Sequence, residues 1–162
     1  MYCDFPREKA RLFVIGGGPD LDHLKEMVEK NNFGDRIHLL GPIPNPEIPN
    51  YLHAMDYYTT ASLSEMHSIS MLEAMASDLF ALVKRDIPNE RQIIEGKNGY
   101  QWDTKEDFKD LFTTILDLSE EEQKKLKENV LEYSRENNFK KQAMELIKIY
   151  EKPIEIKKEE LE

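Results

Sequence analysis

The chain contains 162 residues, and its 22 basic and 32 acidic side chains give a formal net charge of −10 at pH 7. This length fits one domain with a substantial core, and the acidic balance argues against nucleic acid or an anionic membrane surface as a partner of these residues. A single cysteine, Cys3, excludes an internal disulfide framework and a cysteine zinc cluster, while the absence of a long apolar run or a signal-peptide core favours a cytoplasmic location.

The first part of the chain predicts two strands joined by a helix. The apolar run at 11–15 (RLFVI) is typical of a buried parallel strand, and the glycines after it predict a tight turn. We expect Asp20 to cap a helix that ends through Gly34, and a second strand at 37–40 (IHLL). The apolar face of this helix would contain Leu21, Leu24, Met27 and Val28.

The rest of the chain continues the alternation of strands and helices. A proline-rich stretch at 42–50 predicts a rigid loop. Beyond it, the pattern predicts helices at 47–54, 68–77 and 89–95, and strands at 57–60, 80–83 and 100–102. From Thr104 onward the pattern is helical, with helices expected at 106–118, after the N-cap Ser119, and at 139–150.

This alternation predicts an α/β fold with a Rossmann-like, doubly wound parallel sheet. We expect residues 1–118 to form this domain, residues 119–152 to form helices packed on it, and residues 153–162 to form a charged tail. In such sheets ligands bind at the carboxyl ends of the strands. The glycine turn, the loop after Gly41 and the loop that begins at Ser62 all fall at that edge.

The segment 62–77 (SLSEMHSISMLEAMAS) is the strongest candidate for a site. If its helix begins near Ser68, Glu65 lies in the preceding loop and Glu73 about a turn and a half inside the helix. The N–H groups of residues 67–70 would face a phosphate with the helix dipole in support. Because carboxylates accept hydrogen bonds from sugar hydroxyls, the segment outlines a nucleotide-sugar site. The apolar helix face is expected to contain Ile69, Leu72, Met75 and Ala76.

Four pieces of the chain, in order, resemble one known family. They are FVIGGGP (13–19), IHLLGPIPNPEIPNYLHAMD (37–56), SLSEMHSISMLEAMAS (62–77) and EGKNGY (95–100). The region is similar to the C-terminal, donor-binding domain of retaining GT-B glycosyltransferases of the group 1 type. The resemblance implies that one half of a GT-B enzyme is present, and that a nucleotide sugar, UDP-linked by preference, is the co-substrate, with no metal and no other cofactor.

The resemblance also implies roles for individual residues. Glu65 would be the catalytic residue that contacts the donor-sugar hydroxyls, and Glu73 would hold the ribose hydroxyls. Further donor-binding positions would be the amides of His67, Ser68 and Ile69 at the diphosphate, Pro42 and Ile43 beside the base, and Gly16 and Gly18 at the donor edge. Transfer would proceed with retention at the anomeric carbon, and electrostatic stabilisation would assist departure of the diphosphate.

The sequence departs from the family pattern in several places. Residues 66–68 (MHS) replace the usual Gly-Phe-Gly, Asp78 and Phe80 replace a glycine and a proline, and a usual glycine is absent from 86–94. Family members also have a strand and helix before the FVIGGGP strand, with an Arg and a Lys that grip the diphosphate, and an acceptor domain before those. The resemblance therefore implies a fragment that is inactive alone, whose contact with a membrane, if any, is made by the missing N-terminal half.

Several alternatives remain open from sequence. The chain could be a non-catalytic glycosyltransferase-like binding subunit, or a sugar-nucleotide epimerase of similar architecture. Without the surrounding pattern, Glu65 and Glu73 are a helix cap and a solvated helix position, and His67 is an exposed loop residue. Asp20 and Asp22 have the form of a metal-binding pair, but a helix N-terminus explains them better. Lys84 and Arg85 either meet a phosphate or balance the acidic surface.

Overall fold

The computed structural model describes residues 10–63, 68–86, 92–138 and most positions of 140–150 (140, 141, 143, 144, 146–148 and 150). Five strands occur in this part of the chain: β1 (Leu12–Ile15), β2 (Ile37–Gly41), β3 (Tyr57–Thr60), β4 (Phe80–Lys84) and β5 (Gly99–Trp102). Five helices accompany them: α1 (Leu21–Lys30), α2 (Ile48–Leu52), α3 (Ile69–Ala76), α4 (Lys105–Leu116) and α5 (Glu120–Glu136). A 3₁₀ turn (Asn45–Glu47) leads into α2, and the described positions of 140–150 are helical.

All strand pairs in the described residues are parallel. β1 pairs with β2, and β4 pairs with β3 on one side and β5 on the other. The parallel strands and the helices between them confirm the expected α/β, Rossmann-like architecture. The described strands form two separate sheets, β1-β2 and β3-β4-β5, instead of the one continuous sheet expected. Residues of β1 and β3 line a common cavity between the two sheets.

The hydrophobic core surrounds β4. From Phe80 to Val83, β4 is at most 1% exposed, because it has neighbours on both edges and helices against its faces. Helices α3 and α5 pack on each other and on β4. The core residues of the helices are Met71, Met75, Phe108, Phe112, Ile115, Val130 and Tyr133. No apolar side chain of the described residues before Leu52 is buried, so the β1-β2 sheet stands outside this core.

Both α1 and α3 end in a residue with a left-handed backbone. After α1, Asn32 has φ +56°, and its N–H and that of Phe33 donate to the carbonyls of Glu29 and Val28. This pair of bonds is a Schellman motif. Asparagine tolerates positive φ better than most residues, so Asn32 makes the turn and the expectation for Gly34 is wrong. At the other end of α1, Asp20 is the N-cap residue, but its side chain makes no capping hydrogen bond.

The buried face of α3 differs from the one expected. Its buried side chains are Met71, Ala74 and Met75, whereas Ile69 is 60% exposed. Positions 71, 74 and 75 have the same helical spacing as the expected set but a different rotation about the axis. The sequence of α3 is apolar on most sides, so periodicity alone did not decide which side faces the core.

The connection from β4 to β5 contains no helix in its described part. The helix expected at 89–95 begins on residues outside the described ranges, and residues 92–95 form a turn and a single bridge to Gly99. Asn98 is fully buried and organises this turn. Its Oδ1 accepts from the Ile94 N–H at 2.7 Å, and its Nδ2 donates to the Gln92 carbonyl at 2.8 Å. Buried polar groups require such partners, which fixes the entry into β5.

Candidate functional site

A cavity of about 1030 Å³ opens between the two sheets. Its rim lies where β1, β2 and the start of α3 meet, at the carboxyl end of the strands. The rim residues are Gly16, Pro42, Ile43, Ser70 and Glu73. Its body runs down between β1 and β3 and is mainly apolar, with Leu12, Val14, Leu82, Phe108, Phe112 and Leu116 in its wall. The structure therefore brings four sequence-predicted site residues (Gly16, Pro42, Ile43 and Glu73) to one rim.

Glu73 is the charged group of this rim. It lies in the second turn of α3, is solvent-exposed, and borders the cavity. Within the described part of the chain its carboxylate makes no ion pair, so its oxygens are not engaged by a neighbouring cation. A carboxylate in this position is able to accept hydrogen bonds from two vicinal hydroxyls of a ligand.

The N-terminus of α3 carries a short chain of hydroxyl groups. Ser68 is the N-cap and is 2% exposed, and its Oγ accepts from the Met71 N–H at 3.3 Å. The Ser70 Oγ lies 3.2 Å from that of Ser68 and 2.9 Å from the Tyr58 hydroxyl. Ser68 thus uses its side chain in the helix cap, while Ser70 and Tyr58 border the cavity. Ile69, 60% exposed, is not one of the residues in its wall.

Tyr58 is a site residue that the sequence did not indicate, and Ser70 was expected to contribute only its backbone N–H. Tyr58 lies in the strand that the sequence predicts at 57–60 and packs against the core, but its hydroxyl reaches Ser70 of α3 at the cavity wall. No spacing rule connects a strand position to a helix position twelve residues later. The neighbouring Tyr57 also borders the cavity; burial and, to a smaller extent, the Asp56 carboxylate raise the pKa of its hydroxyl, which therefore stays protonated at neutral pH.

The glycine turn after β1 forms the opposite side of the rim. Gly16 has φ +130°, a region that favours glycine, and its N–H donates to the Gly41 carbonyl at 2.8 Å. A Cβ on Gly17 would lie 3.6 Å from Cδ of Pro42, so turn and loop are in contact. Gly18 has no neighbour near its Cβ direction and is not part of the cavity wall.

Two predicted site residues, Glu65 and His67, lie outside the described residues. The convergence of the Glu65 and Glu73 carboxylates on one ligand therefore stays a prediction. The substitution of Gly-Phe-Gly by residues 66–68 falls on the same segment, except for Ser68, whose role as N-cap is described above.

Lys84 and Arg85 are held by acidic and aromatic neighbours at the end of β4. The Arg85 guanidinium lies 3.1 Å from Asp103 Oδ2 and 3.8 Å from Glu95 Oε1. The Lys84 ammonium donates to the Asp103 carbonyl and lies 5.2 Å from the Trp102 ring centroid. Neither residue borders the cavity. These contacts agree with the interpretation that the two cations balance acidic surface.

The described residues contain no group of three or more potential metal ligands. Of the pair Asp20 and Asp22, the second accepts from Lys25 at 2.9 Å as an ordinary helix-surface ion pair. In the same part of the chain, no helix combines the length and the apolar character that crossing a membrane requires.

Comparison with known proteins identifies the family. The model of the family described as glycosyl transferases group 1 matches residues 4–136. The alpha-monoglucosyldiacylglycerol synthase of Acholeplasma laidlawii is 28% identical over 107 residues, which are 66% of this chain and 26% of that protein. The chain thus spans about a quarter of the length of this relative.

Solved structures of low sequence identity share the fold. Sucrose-phosphate synthase from Thermosynechococcus elongatus superposes with a TM-score of 0.76 at 18% identity, over 90% of this chain and 39% of that one. Anabaena HepE, in a complex with UDP, superposes with a TM-score of 0.66 at 16% identity, over 77% of this chain and 36% of that one. With the family match extending over most of its length, the chain belongs to the group 1 glycosyl transferases.

Proposed function

We propose that this chain is the donor-binding part of a retaining GT-B glycosyltransferase. It would bind a nucleotide diphosphate sugar, UDP-linked, from which a hexose is transferred to a glycan or lipid acceptor. The single observation that carries the proposal is the rim of the cavity, where the exposed carboxylate of Glu73 shares one opening with Gly16, Pro42 and Ile43.

Each part of the rim suits one part of such a donor. Pro42 and Ile43 offer an apolar surface to the base, and the Glu73 carboxylate accepts hydrogen bonds from the ribose hydroxyls. The N-terminus of α3 offers N–H groups and a positive dipole end to the diphosphate, whose negative charge grows as the bond to the sugar breaks. Glu65 and His67 would contact the sugar. Anabaena HepE, which shares the fold, is described in a complex with UDP, which supports the nucleotide assignment.

The acceptor side of the reaction belongs to another part of a longer protein. The Acholeplasma relative is about four times the length of the matched region, and its name describes a glucosyl transfer to a diacylglycerol lipid. We therefore propose an acceptor domain on the amino-terminal side, through which any contact with the inner face of a membrane is made. Alone, this chain would bind donor without turnover.

Calorimetric titration with UDP tests the donor site. We expect a saturable heat for the wild-type chain and about 10- to 100-fold weaker binding for Glu73→Gln, because a hydrogen bond to a charged group contributes about 1.5–3 kcal/mol. Glu121→Gln is the matched control, since it removes the same charge from an exposed position in the first turn of α5, away from the rim. This variant should bind UDP as the wild type does.

Two results would count against the proposal. If Glu73→Gln binds UDP as tightly as Glu121→Gln does, Glu73 has no part in the site. If the wild-type chain gives no heat with UDP or with UDP-glucose, the non-catalytic binding subunit becomes the better assignment.

A further inference from the structure

Three hydroxyl groups form a continuous chain at the rim of the cavity. The Tyr58 hydroxyl lies 2.9 Å from the Ser70 Oγ, which lies 3.2 Å from the Ser68 Oγ. The Ser68 Oγ in turn accepts from the Met71 N–H at 3.3 Å. Tyr58 and Ser70 border the cavity, and so does Glu73, which follows Ser70 by three residues on α3. The hydroxyl chain therefore connects strand β3 with the part of α3 that carries the rim carboxylate.

The buried end of this chain determines the direction of one hydrogen bond. Ser68 is 2% exposed and its Oγ already accepts from a backbone N–H, so its own O–H needs an acceptor inside the protein. Among the described residues, the Ser70 Oγ is the acceptor within reach. A serine hydroxyl has one hydrogen and two lone pairs. Ser68 is therefore the donor in this bond, and one lone pair of Ser70 accepts it.

The Tyr58 hydroxyl uses the second lone pair of Ser70. A phenol donates a hydrogen bond more strongly than an aliphatic hydroxyl and accepts one more weakly, because its oxygen lone pairs are delocalised into the ring. The Tyr58 O–H is therefore the donor at 2.9 Å, and the Ser70 Oγ is the acceptor. With both lone pairs used, Ser70 keeps only its own hydrogen for another partner. Ser70 is solvent-exposed and borders the cavity, so within the described part of the chain this hydrogen is available to a ligand at the rim.

Ser70 and Glu73 then offer opposite halves of a hydrogen-bonding pair. Residues three apart on a helix lie on one face, with Cβ atoms about 5–6 Å apart. The ionised carboxylate only accepts, whereas Ser70, with its lone pairs occupied, only donates. A ligand hydroxyl between them satisfies both, because it donates to the carboxylate and accepts from the serine. A phosphate oxygen at the same place would satisfy Ser70 alone and would be repelled by the Glu73 charge. The pair therefore favours a neutral hydroxyl.

We propose that Ser70 and Glu73 together bind one ribose hydroxyl of the nucleotide, and that Tyr58 is the positioning residue that directs the Ser70 hydrogen toward it. This inference rests on the proposed function, since it takes a nucleotide as the ligand of the rim. Without the phenol, the Ser70 oxygen regains a lone pair and its hydrogen is able to turn toward Ser68, so the direction of donation is lost. The ligand class that this arrangement selects is a ribonucleotide with its ribose hydroxyls intact.

Titration with two nucleotides tests this role. The probes are UDP and its 2′,3′-dideoxy analogue, which lacks both ribose hydroxyls but keeps the base and the diphosphate. Ribose selectivity is the Kd of the analogue divided by the Kd of UDP. Tyr58→Phe removes the phenol oxygen and keeps the ring that packs against the core. We expect this variant to bind UDP about 3- to 10-fold more weakly, which corresponds to one neutral hydrogen bond, and to bind the analogue as the wild type does. Ribose selectivity then falls by the same factor.

Tyr100→Phe is the matched control. Tyr100 is also a half-buried strand tyrosine that packs against the core, but it does not border the cavity. This variant should keep the ribose selectivity of the wild type. Ser70→Ala should lose at least as much selectivity as Tyr58→Phe, and the double variant should lose no more than Ser70→Ala alone, because Tyr58 acts through Ser70. Urea denaturation of each variant ensures that the affinities of folded proteins are compared.

Two results would overturn this role of Tyr58. If Tyr58→Phe weakens the binding of UDP and of the dideoxy analogue equally, the hydroxyl supports the fold or the diphosphate and not the ribose. If the double variant loses more selectivity than Ser70→Ala does, Tyr58 acts independently of Ser70.

The outcomes for Tyr58 and for the donor site are separable. UDP binding that is weakened by Glu73→Gln, together with wild-type selectivity in Tyr58→Phe, contradicts only the positioning role. A wild-type chain that does not bind UDP contradicts the donor site, and the ribose assignment with it.

Discussion

The end of α3 depends on a single residue with an unusual backbone. Asp78 has φ +63°, and its N–H and that of Leu79 donate to the carbonyls of Met75 and Ala74. Leu79 and Ala74 also belong to one buried cluster, which completes a Schellman motif with its apolar contact. The sequence already marked Asp78 as a position where the family has glycine. The positive φ explains that difference, because aspartate adopts a left-handed backbone more readily than most residues with a side chain do.

The variant Asp78→Gly should be more stable than the wild type. A left-handed backbone conformation costs a residue with a side chain about 1–2 kcal/mol, and glycine avoids this cost. The greater conformational entropy of glycine in the unfolded chain offsets about 0.5–1 kcal/mol of that gain. We expect a gain of roughly 0.5–1 kcal/mol in the free energy of unfolding, measured by urea denaturation. Asp78→Ala, which keeps the strain and loses the aspartate's local tolerance, is the control and should be destabilised. Loss of stability in the glycine variant would contradict this explanation.

At the scale of elements, α4 and α5 begin with the same N-terminal capping motif. Thr104 and Asp107 form a capping box on α4, as Ser119 and Glu122 do on α5. The Asp107 carboxylate accepts from the Thr104 N–H at 2.9 Å, and the Thr104 Oγ1 accepts from the Asp107 N–H at 3.1 Å. The hydrogen bond with the Thr104 backbone has the larger effect and the one with the Thr104 side chain the smaller, and both lower the pKa of Asp107 below its usual value of 3.8.

This lowered pKa predicts a pH dependence of stability. The pKa of Asp107 is lower in the folded state than in the unfolded state. Its contribution to folding stability is therefore complete at a pH above the unfolded-state pKa, and is lost as the pH falls through the folded-state pKa. We expect Asp107→Asn to be less stable than the wild type at neutral pH, and the difference to shrink toward about pH 3, in urea denaturation. Asp110→Asn, on the same helix but outside the capping box, should show no such trend. A deficit that is equal at both pH values would contradict the role of this carboxylate.

The sequence predicted most elements because their signals are local. Ser119 followed by acidic residues marked the start of α5, and the short apolar runs marked the strands. The expectations that failed depend on distant contacts. The buried face of α3 is chosen by β4 and α5, the turn before β5 by the buried Asn98, and the contact of Tyr58 with Ser70 by the packing of β3 beside α3. At the site, four predicted residues reach one rim, while Ser68 is used by the helix cap.

At the scale of the whole molecule, the two sheets differ in how firmly they are held. The three-stranded sheet contains the buried core, whereas β1, α1 and β2 contribute no buried apolar side chain. Two-stranded sheets are marginally stable in water without a packed face. Units with few buried contacts open locally before the rest of a protein unfolds.

We therefore expect the amides of this chain to exchange in two groups. The Leu12 amide and those of α1 should exchange at least about 100-fold faster than those of Ala81 and Val83, through opening of the two-stranded unit alone. Hydrogen exchange followed by NMR measures these rates directly. A low concentration of urea should accelerate the exchange of the Ala81 and Val83 amides and have little effect on that of the Leu12 and α1 amides. Uniform rates across both sheets would show that the chain unfolds as one cooperative unit.

The burial of Asn98 also has a consequence for the deamidation of the protein. Asparagine before glycine is the pair at which a side-chain amide most readily cyclises onto the next backbone nitrogen and loses ammonia, and Asn98 and Gly99 form such a pair. Here the amide is fully buried and bonded to Ile94 and Gln92, and a Cβ on Gly99 would lie 2.5 Å from the Ala81 carbonyl oxygen, so neither residue has room to rotate. Cyclisation has to wait until β5 separates from β4. We therefore expect the amount of isoaspartate at position 98 in a stored sample to increase with the total time for which β5 has been separated from β4.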